Sequence, residues 1–240
     1  DRTAEIATLL AAYPDHLASA EGNEVVWRDG TRMPIDDGKS SKPFETLLDE
    51  PDIEDQFYTP YFLGDAGFPP AENIDPGRVR YEPLFRKMYG DCRQGVEPNL
   101  VKVAWLPKHE GGSVQITTVN GVDKALGRVS ADLEKLPAAL LKYLKPSAGT
   151  YNCRVIAGTN RMSMHSYAAS IDINTKFTDY WRWARPDAKG RYAYKNRIPL
   201  EIVEVFERHG FIWGGKWYHY DTMHFEYRPE LIALAKARSK

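Results

Sequence analysis

Only two of the 240 residues are cysteine, Cys92 and Cys153. A disulfide-rich scaffold and a multi-cysteine metal module are therefore both excluded. Neither cysteine sits in a C-x-x-C spacing, which argues against a metal role for them. An even pair far apart in sequence predicts one disulfide in an oxidising compartment, with two unrelated buried thiols as the alternative. No run of about 18 apolar residues occurs, so no membrane-spanning helix is expected. Charge of one sign is missing as well. The 32 basic and 33 acidic side chains leave a net charge of -1, which removes the electrostatic argument for nucleic acid or an anionic membrane surface. Internal repeats and low-complexity tracts are absent too. The chain opens on Asp1 with no basic-apolar leader behind it, which suggests a trimmed N-terminus; a removed export signal is one explanation. What remains is an ordinary globular composition, 42% hydrophobic and 27% charged, on a chain long enough for a sizeable core.

Local patterns predict a mixed fold. Residues 3–12 read as a short helix with Thr3 at its cap and Pro14 beyond its end. Residues 24–33 read as a hairpin around Asp29-Gly30. From Asp36 to about Gly77 the chain is rich in Gly, Pro, Asp and Ser but carries Phe44, Phe57, Tyr58, Tyr61, Phe62 and Phe68, so irregular structure anchored by aromatics is expected. Residues 83–89 read as a helix ended by Gly90. Residues 100–105, 113–119, 151–156 and 225–227 read as strands, and 211–213 with 216–220 as a hairpin about Gly214-Gly215. A helix follows from Val122, Ser130 is expected to cap the next, and Pro137 to kink it. Ile198-Pro199 opens a further helix closed by Gly210, and Pro229-Glu230 the last. Strands and helices interspersed in this way indicate an α+β fold, a small antiparallel sheet flanked by helices.

Two stretches carry the chemistry. The first, Ser163-Met164-His165-Ser166-Tyr167-Ala168-Ala169-Ser170-Ile171-Asp172, has His and Asp seven apart. The second, Asp221-Thr222-Met223-His224-Phe225, has Asp and His three apart. Two imidazoles and a carboxylate can fill three corners of a tetrahedral Zn²⁺ site and leave the fourth for water, and a second carboxylate alongside can act as general base. His165, Asp172 and His224 are the expected ligands and Asp221 the expected base. Odd spacings put side chains on opposite faces of a straight strand, so a loop is expected after His165 and a turn at residues 221–223. His219 stays open as a ligand, a substrate contact or a packed ring. Structural ion pairs and capped turns are the commoner use of such residues.

These motifs resemble the zinc D-alanyl-D-alanine carboxypeptidase and L-alanyl-D-glutamate endopeptidase family, which shares its fold with the hedgehog signalling domain. The pattern is Ser-x-His-x-x-Gly-x-Ala-x-Asp followed about 50 residues later by Asp/Glu-x-x-His-Phe. Ser163, His165 and Asp172 stand at the first motif; Asp221, His224 and Phe225 stand at the second. The resemblance covers roughly residues 150–228 and implies one zinc per chain on His165, Asp172 and His224, with Asp221 as base. It also implies an Arg on the preceding strand that binds the substrate carbonyl; Arg154 is the candidate and Arg161 the competitor. Ser163, Arg161, His219 and Trp217 are expected around the substrate. The implied substrate is the stem peptide of bacterial peptidoglycan, cut as an endopeptidase or a D,D-carboxypeptidase, which places the protein in the periplasm or otherwise outside the cytoplasm. Residues 1–100 are then an extension packed on a peptidase domain at 101–240. Two positions depart from the family: Ala168 stands where it has Gly and Ser170 where it has Ala. A homologue that binds peptidoglycan or a partner without cutting, and a metal hydrolase acting on another amide or ester, are the alternatives.

Overall fold

The computed structural model describes residues 2–65 and 68–240. The N-terminal part holds α1 (Thr3–Ala12), the three-stranded antiparallel sheet β1 (Leu17–Glu21), β2 (Glu24–Trp27) and β3 (Arg32–Pro34), then α2 (Phe44–Asp49) and α3 (Glu82–Tyr89). Next come the antiparallel pair β4 (Leu100–Ala104) and β5 (Ser113–Thr117), α4 (Val122–Leu133) and α5 (Leu141–Leu144). The C-terminal part contributes β6 (Ser170–Asp172), α6 (Leu200–Arg208), β7 (Phe211–Trp213), β8 (His224–Tyr227) and α7 (Pro229–Arg238). In its sheet β8 lies between β6 and β7, antiparallel to both. No helix of the described residues is long and apolar enough to cross a membrane. The architecture is α+β, with small antiparallel sheets and flanking helices.

The central sheet is fixed by its apolar residues. Phe225 is fully buried on β8; its ring stacks on Phe206 of α6 with centroids 3.7 Å apart and lies near-parallel to Trp213 of β7. Burying a ring of this size contributes about 1.5–3 kcal/mol, so the residue after His224 clamps the ligand-bearing strand against α6. One continuous core joins Ile6, Leu9 and Tyr13 of the N-terminal part to Leu231 and Ala235 of α7.

Several local expectations are corrected. Residues 151–156 form no strand; only an isolated bridge, Val155 with Met162, is present. Their backbone groups are met by the loop opposite, Asn152 N donating to the His165 carbonyl and Arg154 N to Ser166 Oγ. Residues 216–220 form no return strand, because β7 pairs with β8 and the buried Lys216 ammonium donates to Glu207 and to the Phe62 carbonyl. Ser130 caps nothing: it lies inside α4, where its hydroxyl accepts from Leu106 N at 2.8 Å. Thr3 is the first helical residue of α1, with Arg2 at the cap position. Strand β1 was not anticipated, and α2 interrupts the stretch expected to be irregular. Of its aromatics Phe57 and Tyr61 are buried, whereas Phe62 and Phe68 are exposed. Pro137 does break the helical pattern, between α4 and a short 3₁₀ turn at Ala138–Leu140. Cys92 and Cys153 form a disulfide.

Candidate metal centre

His165 lies in a 3₁₀ turn, Met164–Tyr167, whose first backbone donors are partly met by Ser163: its Oγ accepts from His165 N at 3.3 Å. The chain then passes through Ala168 at φ 54°, the left-handed region, and enters β6. Asp172 ends β6 and is the direct cross-strand partner of His224, which begins β8. A turn, a reversal and one strand pairing thus bring residues from distant stretches to one point. His165 Nε2 is 3.1 Å and His224 Nδ1 3.3 Å from Asp172 Oδ1. The rings meet edge to face with centroids 5.1 Å apart, and both are buried.

The outer nitrogens are held. His165 Nδ1 donates to the Thr150 carbonyl at 3.1 Å, and His224 Nε2 donates to Glu226 Oε1 at 2.8 Å. Such bonds fix the ring orientation, so that loss of the inner proton turns a lone pair inward, the arrangement that metal-binding histidines use. Glu226 is itself buried, gripped by Arg80 through Nε at 3.0 Å and Nη2 at 2.5 Å, and by Arg228 Nη1 at 3.3 Å. Burial alone would raise the Glu226 carboxyl pKa, but Arg80 and His224 hold it well below the usual range. Burial likewise opposes ionisation of Asp172, and the two imidazoles overcome it, leaving that pKa low. These three donors suit a divalent cation by type and by convergence, since all lie within 4.8 Å of one another.

Asp221 lies three residues before His224 and lines the same cavity of about 310 Å³. Its Oδ1 is buried with no hydrogen-bond partner among the described residues. Burial first, and the charge of Asp172 second, push its carboxyl up to about 6. Gly214 permits this placement, because a Cβ there would lie 2.6 Å from the Asp221 carbonyl oxygen. Arg154, Ser163, Trp217 and His219 line this cavity too, with the aromatic side chains Tyr180, Trp181 and Trp183. Arg161 does not; it pairs with Asp49 of α2. Trp213 is buried in the core, and Tyr218 lies beside another depression near Tyr192. His219 is no part of the three-donor cluster: its Nδ1 donates to Asp75 Oδ2 at 2.8 Å.

A second acidic group, Asp36, Asp37 and Asp52, also has the spacing of a cation site. A lysine already serves it: Lys42 Nζ lies 2.8 Å from Asp37 and 3.8 Å from Asp52, and 2.5 Å from neighbouring Asp55. Glu226, Arg80, Asp75 and the Thr150 carbonyl were not anticipated. Glu226 was within reach, because residues two apart on a strand share a face. The others come from residues far away in sequence.

Two imidazoles, one carboxylate and a spare buried acid around a single cavity define a candidate metallohydrolase centre. Residues 157–227, which contain all four groups, match a family described as D-alanyl-D-alanine carboxypeptidase. Comparison with curated proteins and with solved structures gives no match for the chain. The matched segment begins after Arg154 and leaves the whole N-terminal part outside it.

Proposed function

We propose that the protein is a zinc-dependent peptidase that hydrolyses peptide bonds in the stem peptides of bacterial peptidoglycan, as an endopeptidase or a D,D-carboxypeptidase. The observation that carries this reading is the Asp221 carboxyl, with its Oδ1 buried and unpartnered among the described residues, beside three converging metal donors in a segment similar to a peptidase family. His165, Asp172 and His224 would hold the metal. Zinc bound there supplies Lewis acidity towards a carbonyl and a water of lowered pKa. Asp221 takes the proton from the attacking water and returns it to the leaving amine, a role its place on the wall of the same cavity allows. Arg154 is exposed at the rim of the cavity, where its guanidinium can meet the negative charge that develops on the carbonyl oxygen. Ser163 shapes the ligand turn through its bond to His165 N. An exported location agrees with the disulfide between Cys92 and Cys153.

The reading of an inactive homologue drew on Ala168 and Ser170. Ala168 nevertheless adopts the left-handed conformation that glycine would take more readily, and the ligand loop keeps its reversal. The deciding experiment compares zinc-loaded wild type with Asp221→Asn on purified peptidoglycan, reading released peptides by mass spectrometry. Turnover in the variant should fall by about 10²–10⁴-fold, the usual contribution of general acid-base catalysis, at unchanged zinc content. Wild-type protein that releases no peptide, or a variant within a few-fold of wild type, overturns the assignment.

A further inference from the structure

The metal cavity opens into a larger one. A chamber of about 810 Å³ lies beside it, and the two share Arg78, Arg80, Trp181, Arg182 and His219. One wall of this chamber comes from residues 45–51 and 78–86 of the N-terminal part, the other from residues 158–162. The walls are tied together by the Arg161–Asp49 ion pair and by Met162 N, which donates to Glu82 Oε1. The chamber is therefore a product of the N-terminal part docking on the matched segment.

Its charge is polarised. The neck shared with the metal cavity carries only basic and aromatic side chains, whereas Glu45, Asp49, Glu50 and Glu82 line only the outer chamber. Arg80 is committed to Glu226. Arg78 gives one Nη1 bond to Asp75 at 2.8 Å, and that buried carboxylate also fixes His219. Arg182 lies over the Trp181 ring at 4.7 Å and forms no ion pair with a carboxylate among the described residues. His219 is held between Phe44, stacked at 5.5 Å, and the edge of Trp181 at 4.8 Å. The neck thus holds His219 in place and leaves the Arg182 guanidinium, with the remaining donors of Arg78, for a ligand, and guanidinium groups are the preferred partners of carboxylates.

We propose that this neck is a specificity subsite that tells the free carboxylate of the substrate's D-glutamyl residue from its carboxamide, with Arg78 and Arg182 holding the carboxylate. A polyanion is disfavoured, because the acidic outer wall would repel a second negative group. The inference rests on the peptidase reading and adds that the N-terminal part selects the substrate.

The test uses two synthetic stem peptides that differ only at the D-glutamyl residue, free carboxylate against carboxamide. Zinc-loaded wild type should favour the carboxylate in kcat/KM by about tenfold, as for one charge-assisted hydrogen bond. Arg182→Gln should cut that preference to about twofold, and Arg182→Lys should restore part of it; Arg182 is exposed, so the fold tolerates both. Equal kcat/KM for the two peptides in wild type, or a full preference in Arg182→Gln, overturns the subsite. Absence of turnover with both peptides defeats the peptidase reading instead. In that event calorimetric titration of the same peptides into the Asp221→Asn protein reads the preference as a ratio of Kd. A tenfold ratio supports the subsite; equal Kd, or no binding of either peptide, overturns it.

Discussion

His224 shows how one residue couples metal, proton and fold. Burial would push its imidazole pKa down, but its bonds to Asp172 and Glu226 hold it up at about 10. An unfolded histidine titrates near 6.5. In metal-free protein the raised value therefore adds stability that is fully present below about 6.5 and is lost as pH rises through about 10. A cation needs the neutral ring, so loading zinc at pH 7.5 should expel about one proton from His224. Calorimetry in two buffers of different protonation enthalpy measures this, and an apparent enthalpy independent of buffer contradicts it. Metal affinity should also rise with pH through that window. At this scale the sequence was informative where chemistry lives in side chains: His165, Asp172, His224 and Asp221 are chemically distinctive and lie in two short motifs. It was uninformative where the partner is a main-chain group, as with the Thr150 carbonyl behind His165. It was also silent on whether Ala168 would accept a positive φ, a conformation that disfavours an L-residue by about 1–2 kcal/mol.

At the level of elements, β8 does two jobs through strand alternation. His224 and Glu226 point to one face, where one faces the ligand cluster and the other supports it, while Phe225 points to the opposite face and packs on α6. Glu226 is shared by His224, Arg80 and Arg228, all buried or nearly so. Glu226→Gln leaves the Arg80 guanidinium without its carboxylate and Arg228 with Glu230 alone. Breaking a buried ion pair in this way costs about 3–5 kcal/mol, and loss of a carboxylate behind a metal-binding imidazole typically lowers affinity about 10–100-fold. Urea unfolding of the metal-free protein and competition against a zinc chelator measure the two effects separately. A variant with wild-type stability and wild-type affinity would show that the network is incidental. Helices and hairpins with strong punctuation, such as Asp29-Gly30 and the Gly210 helix end, were legible because local chemistry decides them. Residues 151–156 and 216–220 were misread because their alternation is real but their partners are not strands. A side-chain hydroxyl, a histidine carbonyl and a buried lysine take those roles instead.

Across the molecule, the N-terminal part is bound into the rest by buried polar bonds as well as by apolar packing. Helix α1 packs along α7, and Tyr13 OH donates to Glu230 Oε2 at 2.6 Å. Tyr61 OH donates to Glu207, and Arg80 to Glu226; Asp75 accepts from His219, and Cys92 is bonded to Cys153. Periodicity could not disclose this, because every one of these contacts joins residues at least 61 positions apart. A chain restricted to residues 101–240 would keep all three metal donors and the proposed base. It would strip Tyr61, Arg80 and Tyr13 from Glu207, Glu226 and Glu230, which keep Lys216, His224 with Arg228, and Arg228 respectively; each lost bond to a charged group costs about 1.5–3 kcal/mol. It would also uncover the apolar faces of α7 and β7 that Leu9, Tyr13 and Tyr61 now border. Set against a typical total stability of about 5–15 kcal/mol, those losses take a large share of it before the uncovered apolar surface is counted. Residues 101–240 alone should therefore show no cooperative thermal transition by circular dichroism and should bind zinc without saturable one-to-one stoichiometry. A sharp transition with stoichiometric zinc in that fragment would mean that the matched segment folds by itself and that the N-terminal part only covers it. The full chain, by contrast, should unfold in a single step, with metal loss and loss of near-ultraviolet tryptophan signal coinciding, because ligand strand, supporting arginines and N-terminal helix share one core.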